Sequence, residues 1–339
     1  MEDTRPEGDD AVRALLIDAP STGPDTTGLH ILPLPVPGPT DVTIDVAYAG
    51  INYLDVMARR GDAGYVQHWP YAPGLEVAGT VRAVGSHVDG LTAGQPVVAL
   101  TTGGGYAEVV RVPAALTVPL AAGVDLDLAA TVPLTVSTAL LLITDAARVQ
   151  AGDTVLVQSA GGGLGHALAQ LLPLYGCSQL IGTVGQASKE EAAQNAGFDL
   201  VLSREDGEFE SFAAQSPGAC QVILDPLGTA LLDTDLRVAA QGARVVLFGN
   251  PSGEPFGPLP PAPRLLAGNI AVGGFSLRAL AARAPHRVRW AMECSLAHLA
   301  ARRLQLPRPS AVELADIPEI HQRMASGHST GKFVARITS

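Results

Sequence analysis

A glycine-rich turn that follows an apolar strand is the pattern in this chain that most directly predicts chemistry. Residues 154–158 are strand-like, and the chain then reads Ser159-Ala160-Gly161-Gly162-Gly163-Leu164-Gly165 before a helical stretch. In the spacing Ala160-x-Gly162-x-x-Gly165, the small first residue allows a tight turn. Gly162 allows close approach of a pyrophosphate, and Gly165 allows the helix to pack on the strand. Because a helix N-terminus also attracts phosphate, the turn predicts a dinucleotide site.

The end of the second strand predicts which dinucleotide is bound. An NAD site places Asp or Glu there, to bind the ribose 2′-hydroxyl. This chain has no carboxylate at that point and reads Gly182-Thr183-Val184-Gly185-Gln186-Ala187-Ser188-Lys189. We expect Gly185, Ser188 and Lys189 to bind a 2′-phosphate by hydrogen bond and charge. Lys189 can also be a solvated lysine at a helix start, but the pattern favours NADPH.

Five side chains have the chemistry of an acid or proton donor. Tyr53 could donate to a developing enolate, although packing beside a cleft explains it equally well. Asp55 and Glu76 are candidate acids, and a bracing role for each carboxylate is the simpler interpretation. His68 has the right pKa range for proton donation but is more typical of a surface loop, and His166 has no assigned role.

Two kinds of element pattern surround these residues. Short strands bounded by glycine or proline predict a partly open β-barrel before residue 134: Ala11–Ile17, Asp41–Ala47, Val77–Val84, Pro96–Leu100 and Tyr106–Val110. From residue 154 to 275, strands alternate with helices, which predicts an α/β doubly wound parallel sheet. A final helix, Arg287–Arg302, and a strand, Lys332–Ile337, are expected to return to the first domain. The predicted domains are therefore 1–134, 135–280 and 281–339.

Composition narrows the class of protein. A chain of 339 residues with 47% apolar residues has material for two domains. The net charge of −11 argues against a nucleic-acid partner, and no apolar run is long enough to span a membrane. Cys177, Cys220 and Cys294 are isolated, which favours a reducing, cytoplasmic compartment. The acidic start, Met1–Asp10, is interpreted as a loose tail rather than a signal peptide.

The ordered set of short motifs resembles the medium-chain dehydrogenase/reductase superfamily, in its zinc-free quinone oxidoreductase branch. The resemblance covers nearly the whole chain and rests on Gly50-Ile51-Asn52-Tyr53-Leu54-Asp55, Pro73-Gly74-Leu75-Glu76-Val77-Ala78-Gly79, Gly103-Gly104-Gly105-Tyr106-Ala107-Glu108, the glycine turn, Leu247-Phe248-Gly249-Asn250 and Ser329-Thr330-Gly331-Lys332. It implies a GroES-like barrel domain, a Rossmann domain, an active-site cleft between them for a small-molecule substrate, and a homodimer.

The resemblance also bears on zinc. Zinc-dependent relatives carry cysteine and histidine where this chain has Asn52 and Leu75, and neither replacement is a competent zinc ligand. The four-cysteine structural lobe is absent as well. We therefore predict no metal. Without a Lewis acid, hydride addition to a quinone or conjugated C=C is easier than alcohol oxidation.

Further roles are implied by the resemblance alone. The resemblance places ten residues near the nicotinamide, the ribose or the pyrophosphate of the cofactor: Asn52, Tyr53, Ser137, Phe248, Gly249, Asn250, Phe275, Ser276, Leu277 and Lys332. Ser203 stands where relatives often carry a tyrosine against the adenosine phosphate, so Arg204 is expected to substitute for it. The usual Gly-x-Thr-Ala stretch is matched to Thr135-Val136-Ser137-Thr138, a departure that affects the nicotinamide pocket.

Three functions follow as alternatives. The first is a zinc-independent, NADPH-dependent reductase of a quinone or an enone, enal or enoyl substrate. The second is a natural-product tailoring enzyme on the same fold, acting as an enoyl reductase or a non-redox cyclase. The third is a cofactor-binding protein without catalysis.

Overall fold

The first part of the chain forms a strand-rich domain. The computed structural model describes residues 10–338, so the predicted loose tail lies outside the described residues apart from Asp10. The elements are β1 (Ala11–Ile17), β2 (Thr27–Pro33), β3 (Asp41–Ile51), α1 (Tyr53–Arg60), β4 (Glu76–Val84), β5 (Pro96–Leu100), β6 (Val109–Pro113), β7 (Thr117–Pro119) and α2 (Leu126–Ala129). The alternating Val42, Ile44 and Val46 are fully buried, as a core-facing strand requires.

The predicted strand Tyr106–Val110 is displaced towards the C-terminus. Residues 106–108 bond to β1 instead, through Leu15 N to Tyr106 O at 2.8 Å and Glu108 N to Arg13 O at 3.0 Å. The ladder with β3 begins at Val109, next to the Glu108 carbonyl that accepts the Val46 N–H of β3 at 2.9 Å. The apolar pattern has no break where the strand changes partner, so the start of β6 could not be located from the sequence.

Helix α1 was not predicted from the sequence. It begins after Asn52, whose backbone N–H donates to the Asp55 carboxylate at 3.2 Å, and it ends at Gly61 with φ of +79°. An acceptor at the third helical position and a left-handed glycine are ordinary helix boundaries. Eight residues between two loops are too few for a clear helical period, which is why the pattern was missed.

The middle of the chain forms the predicted doubly wound sheet. It contains α3 (Ser137–Leu141) between π-helical turns at 132–136 and 142–146, then β8 (Thr154–Val157), α4 (Gly163–Leu171), β9 (Gln179–Val184), α5 (Glu190–Ala196), β10 (Leu200–Ser203), α6 (Glu208–Gln215), β11 (Cys220–Asp225), α7 (Leu232–Val238), β12 (Ala239–Leu247), α8 (Ala262–Gly268) and β13 (Ala271–Gly274). The parallel strands lie in the order β10-β9-β8-β11-β12-β13. The order reverses beside β8, and ligands bind at such a switch point.

The last part of the chain completes the first sheet. It contains α9 (Leu277–Arg283), α10 (Pro285–Ala300), β14 (Ser310–Glu313), α11 (Ile317–Ala325) and β15 (Phe333–Arg336). The sheet order is β14-β15-β3-β4-β5-β7, and β6 pairs with the first half of β3, at residues 41–45. Because α10 packs against α3 and α9 as well as β7, it lies between the two domains. The domain boundaries at 134 and 280 stay predictions.

One apolar core runs across both domains on the side of α3. Leu140 and Leu141 are fully buried in a cluster that includes Val98 of β5 and Val157 of β8. Burial of each such leucine side chain stabilises the fold by about 1.5–3 kcal/mol. The shared packing holds the two domains in a fixed relation on one side of the cleft. No helix within residues 10–338 is long and apolar enough to cross a bilayer.

Candidate active site

A cleft of about 2080 Å³ lies between the barrel and the parallel sheet. Its lining includes most residues predicted for the site: Asn52, Tyr53, Gly162, Gly163, Leu164, Gly165, Gly185, Lys189, Arg204, Phe248, Gly249, Asn250, Phe275, Ser276, Leu277 and Lys332. Five predicted residues do not line it: Asp55, Ser137, Ala160, Ser188 and Ser203.

The glycine turn forms one wall of the cleft. A Cβ on Gly165 would lie 2.2 Å from the Ala160 carbonyl oxygen, so this position accepts only glycine. Ala160 is fully buried behind the turn. A Cβ on Gly162 would meet nothing closer than the Ser159 carbonyl oxygen at 3.6 Å, so this position faces open space. An open backbone at the start of α4 is what a pyrophosphate needs.

The turn is also bonded to the end of the chain. The Gly331 N–H donates to the Gly161 carbonyl at 3.0 Å, and the Lys332 side chain passes over Gly163, where a Cβ would lie 3.1 Å from Lys332 Cδ. Gly163 is therefore needed for the approach of Lys332. This contact ties the glycine turn to the segment that leads into β15.

A buried polar cluster occupies the cleft floor. Lys332 Nζ donates to Asn52 Oδ1 at 2.6 Å and to Ile51 O at 2.9 Å, and it lies 2.7 Å from Glu76 Oε1. Asn52 Nδ2 donates to Glu76 Oε1 at 3.1 Å, and Thr135 Oγ1 lies 3.2 Å from the same oxygen. Glu76 is fully buried, and its second oxygen accepts the Leu134 N–H at 2.8 Å. The ammonium neutralises the carboxylate, as a buried charge requires.

The sheet register assembles this cluster. Phe333 of β15 lies opposite Ile51 of β3, so the preceding Lys332 is placed beside Asn52. A Cβ on Gly50 would lie 2.3 Å from Glu76 Oε1, so Gly50 provides the space for that carboxylate. The predicted position of Lys332 near the nicotinamide end is compatible with this arrangement. The Glu76 ion pair was not foreseen.

Asp55, predicted as catalytic, lies beneath the floor and not in the cleft. It is fully buried and accepts hydrogen bonds from Tyr106 OH at 2.6 Å, Gly74 N at 3.0 Å and Asn52 N at 3.2 Å. Burial raises its pKa to about 6, against the lowering effect of those bonds. Its contacts brace the start of α1, and its side chain does not reach the cleft.

Tyr53 connects the two sides of the cleft. Its hydroxyl donates to the Pro251 carbonyl at 3.1 Å, and Arg60 Nη1 donates to the same oxygen at 2.8 Å. The phenolic proton therefore has an acceptor on the loop after β12. The side chain of Asn250 holds that loop, through a bond from Nδ2 to the Glu254 carbonyl at 2.7 Å.

Two cations flank the end of β9. Arg204 Nη2 lies 3.2 Å from the position of a Cβ on Gly185, and Lys189 lines the same region of the cleft. Burial lowers the pKa of both cations, and the charge of Arg204 lowers the pKa of Lys189 further. Ser188 is exposed outside the cleft, and Ser203 is fully buried with its Oγ accepting the Asp206 N–H at 3.3 Å. Neither serine faces the two cations.

An acidic pair beneath Arg204 was missed by the sequence interpretation. Asp225 and Asp235 are both fully buried, and Asp235 Oδ1 accepts Gln158 Nε2 at 2.7 Å. Burial raises the pKa of Asp225 to about 6 and the pKa of Asp235 well above its usual range. Because two neighbouring buried carboxylates repel each other when both are ionised, the pair favours a state in which it holds a proton.

The cofactor contact predicted for Ser137 is better placed at Thr138, because Thr138 lines the cleft and Ser137 does not. Ser137 is fully buried, and its hydroxyl donates to the Val132 carbonyl at 2.8 Å within the helix. Thr138 lines the cleft. If the family stretch is matched one residue later, as Val136-Ser137-Thr138-Ala139, the Thr-Ala pair is retained. The match at Thr135–Thr138 stays a prediction, and the cleft lining favours the match one residue later.

The cleft also has apolar and aromatic lining residues. Its lining includes Tyr65, Tyr71, Leu75, Phe256 and Leu259. Burial raises the pKa of Tyr71 to about 12, so this phenol stays protonated at neutral pH. Within residues 10–338, no group of three or more His, Cys, Asp or Glu side chains is arranged as a metal site.

Comparison with known proteins identifies the family. The profile of the alcohol dehydrogenase GroES-like domain matches residues 38–122, and the profile named zinc-binding dehydrogenase matches residues 163–296. A probable quinone oxidoreductase of Schizosaccharomyces pombe is 35% identical over 242 residues, which is 70% of this chain and 72% of that protein.

Two further relatives agree. The quinone oxidoreductase of Sus scrofa is 31% identical over 67% of this chain and 70% of its own length. A mycobacterial protein solved in complex with NADPH superposes with a TM-score of 0.86 at 28% identity, covering 96% of this chain and 99% of its own. The chain belongs to the quinone oxidoreductase branch of the medium-chain dehydrogenase/reductase superfamily.

Proposed function

We propose that this protein is an NADPH-dependent reductase of a quinone or of a conjugated C=C in a small apolar substrate, and that it needs no zinc. One observation carries the proposal: a single cleft joins the open glycine turn to the Lys332–Asn52–Glu76 cluster and to an aromatic, apolar end. NADPH supplies a hydride when bound. The chain's own residues position the partners and provide hydrogen bonds to the oxygen that becomes negatively charged.

The cofactor assignment is supported by charge. Lys189 and Arg204 both line the cleft at the end of β9, where a 2′-phosphate of NADPH would lie. Among the described residues that line the cleft, the acids are Asp62 and Glu254, and Asp62 is paired with Arg60 at 2.5 Å. A phosphate beside Lys189 therefore meets two cations and no competing carboxylate in the lining.

The absence of zinc from the reaction is proposed from the donor chemistry. Asn52 Oδ1 and Glu76 Oε1 already accept from the Lys332 ammonium, at 2.6 and 2.7 Å. The Lys332 ammonium would repel a zinc ion at this position. In addition, Asn52 and Leu75 stand where zinc-dependent relatives have cysteine and histidine, and neither is a competent zinc ligand. Elemental analysis of purified protein tests this, and one zinc per chain lost together with activity on chelation would contradict it.

Stopped-flow oxidation of NADPH tests the reaction itself. Purified protein is mixed with NADPH and a series of benzoquinones, naphthoquinones, enones and enals, with NADH as the matched cofactor. We expect turnover of at least one class, with NADPH preferred. Tight NADPH binding without oxidation by any acceptor would favour the non-redox tailoring enzyme or the non-catalytic protein instead.

We further propose a homodimer formed through the edge of the parallel sheet. Strand β13 is the last strand of that sheet, and its residues are mostly exposed. Nearby α8 has no buried residue, and its Leu266 is 75% exposed. An open edge beside exposed apolar side chains fits a second copy of the same strand.

The free cysteines favour a reducing compartment such as the cytoplasm.

Sedimentation velocity tests the dimer. Leu266→Arg is expected to shift the protein towards monomer. Val36→Arg changes an equally exposed residue in the barrel domain and serves as the control. A wild-type monomer at micromolar concentration would rule the dimer out.

A further inference from the structure

A second, much smaller cavity lies behind the glycine turn. Its volume is about 20 Å³, enough for one water molecule. Thr131, Thr135, His166 and Lys332 supply the polar side chains of its wall, and Leu306 and Pro307 form another part of the wall. Pro307 is exposed, so this part of the wall lies at the protein surface.

The Nε2 atom of His166, which lines this cavity, has no hydrogen-bond partner within residues 10–338. His166 is only 8% exposed, and its Nε2 atom is buried with no hydrogen-bond partner among residues 10–338. Burial lowers the pKa of His166, so the ring is neutral near pH 7. A buried ring nitrogen without a partner is unfavourable, and a hydrogen bond to a water molecule would relieve this cost.

The two threonines define how such a water must be oriented. Thr131 Oγ1 donates to the Leu128 carbonyl at 2.7 Å. Thr135 Oγ1 has acceptors at Glu76 Oε1, 3.2 Å away, and at Asn52 Oδ1, 3.3 Å away. Before substrate binds, each hydroxyl proton has an acceptor, so a water can bond only to the lone pairs of the two oxygens; the Thr135 proton can turn from Glu76 or Asn52 to a substrate oxygen in the cleft. A water that donates to both threonines and accepts from His166 Nε2–H satisfies all three groups.

Thr135 connects the small cavity with the large cleft. It lines the small cavity and the large cleft, and it bonds to the cluster around Lys332. The cavity thus lies between the surface segment Leu306–Pro307 and the floor of the cleft. His166 stands at the first turn of α4, where it contacts the water site and not the cleft.

We propose that His166 and one buried water form a proton-entry path from solvent to Thr135. The proposal rests on the proposed function, because reduction of a quinone by a hydride leaves an oxyanion that must gain one proton. Thr135 Oγ1 gives its proton to that oxygen and takes one from the water. The water regains a proton from solvent beside Pro307, so each hydride consumes one solvent proton. His166 keeps its own proton and is a positioning residue for the water.

Three variants test the path. His166→Phe keeps the ring volume and removes the donor, whereas His166→Gln keeps an amide donor of similar reach. His286→Phe changes an exposed histidine on α10 and is the control. With a quinone as acceptor, we expect His166→Phe to lower kcat about tenfold, a fraction of what a full general acid contributes. KM and NADPH affinity should stay unchanged, and the D₂O solvent isotope effect should increase.

The conservative variant and a double variant separate positioning from structure. His166→Gln should retain most of kcat, and His286→Phe should behave as wild type. Because His166 and Thr135 act through the same water, His166→Phe should have little further effect on a Thr135→Val background. A crystal structure of the wild type should show a water within hydrogen-bond distance of His166 Nε2 and Thr135 Oγ1.

The outcomes distinguish this inference from the proposed function. If the wild type reduces quinones while His166→Phe has the same kcat and isotope effect, or if no water is bound in the wild-type crystal, the path is wrong and the function stands. If the wild type reduces no quinone, enone or enal, the proposed function is wrong, and the crystal still decides the water site. If His166→Phe does not fold, the glutamine variant and the crystal carry the test.

Discussion

Lys332 Nζ lies 2.7 Å from Glu76 Oε1, and this ion pair joins the segment before the last strand to the first residue of β4. Glu76 is fully buried, and the Lys332 side chain is only 11% exposed. Together they hold the side-chain oxygen of Asn52 at the cleft floor. The pair therefore has two consequences, one for stability and one for the site.

Replacing Lys332 with methionine should be strongly destabilising. The change leaves the Glu76 carboxylate buried without its cation, which we expect to lower the free energy of unfolding by about 3–5 kcal/mol. Urea denaturation at pH 7.5 measures the effect. The double change Glu76→Gln with Lys332→Met removes both charges and should lose less than the single change.

Arg336→Met provides the matched control for this prediction. Arg336 lies on β15 and pairs with Glu313 at 3.2 Å, but this pair is exposed. Because exposed pairs add little stability, we expect no measurable change. Equal losses for Lys332→Met and Arg336→Met would show that the Glu76 pair has no special role.

The glycine turn gives a prediction that separates binding from folding. A side chain at Gly162 enters open space in the cleft, so Gly162→Val should abolish NADPH binding while the thermal midpoint stays within a few degrees of wild type. Gly165→Val places atoms on the Ala160 carbonyl, so this variant should fail to fold stably. Calorimetric titration and thermal unfolding of both variants make the test. Unchanged NADPH affinity in Gly162→Val would place the cofactor elsewhere.

Lys189 should determine cofactor choice. Lys189→Ala is expected to weaken NADPH about tenfold, which corresponds to about 1.4 kcal/mol, and to leave NADH nearly unchanged. The effect should shrink at high salt, because the lysine is only half-buried. Adding Arg204→Ala should weaken NADPH further. Fluorescence titration with both cofactors measures this, with exposed Arg237→Ala as control, and equal weakening of NADPH and NADH would refute the assignment.

The acidic pair predicts a pH dependence of stability. The folded pKa of Asp225 is about 6, above the usual value of 3.8, and the pKa of Asp235 is raised further. A raised pKa means that the protonated pair stabilises the fold at low pH, and that this stabilisation is lost as the pH rises through 6. Asp235→Asn keeps the acceptor for Gln158 and removes the need for a shared proton.

We therefore expect Asp235→Asn to exceed wild type in stability at pH 8, by about 1–3 kcal/mol, and to match it at pH 4. Denaturant unfolding across this pH range gives the comparison. Asp233→Asn, on the same helix but 92% exposed, should track wild type at every pH. A parallel pH dependence for Asp235→Asn and wild type would show that the pair does not share a proton.

The sequence was most informative where neighbouring residues alone determine the structure. The turn from Ala160 to Gly165 and strand Gln179–Val184 follow from local spacing and periodicity, and both are confirmed. Lys189 was predicted from the missing carboxylate after β9, and Arg204 was predicted from the family resemblance beside Ser203; both line the cleft. Short-range patterns carry such information because turns and strand ends depend on adjacent residues.

The remaining features depend on contacts between distant segments. The Glu76–Lys332 pair requires the register of β15 on β3, and no pattern near either residue reveals it. Asp225 ends β11 and Asp235 lies on α7, and the two carboxyl groups interact only because the chain folds back between them. Ser137 is buried while Thr138 lines the cleft, because one residue along a helix moves a side chain by about 100° around the axis. Such a shift separates a cleft residue from a buried one.

The position of β15 has a consequence for biosynthesis. Residues Phe333–Arg336 pair with β3, and Gly331 bonds to the glycine turn, so β3 is made early but pairs here with a segment made after the whole parallel sheet. On the ribosome, residues 154–274 can form their parallel sheet while the edge of β3 is still unpaired. Completion of the barrel sheet and of the cleft floor therefore requires that residues 331–336 have been synthesised. A nascent chain that stops short of Gly331 would contain the whole glycine turn but could not assemble Lys332 with Asn52 and Glu76.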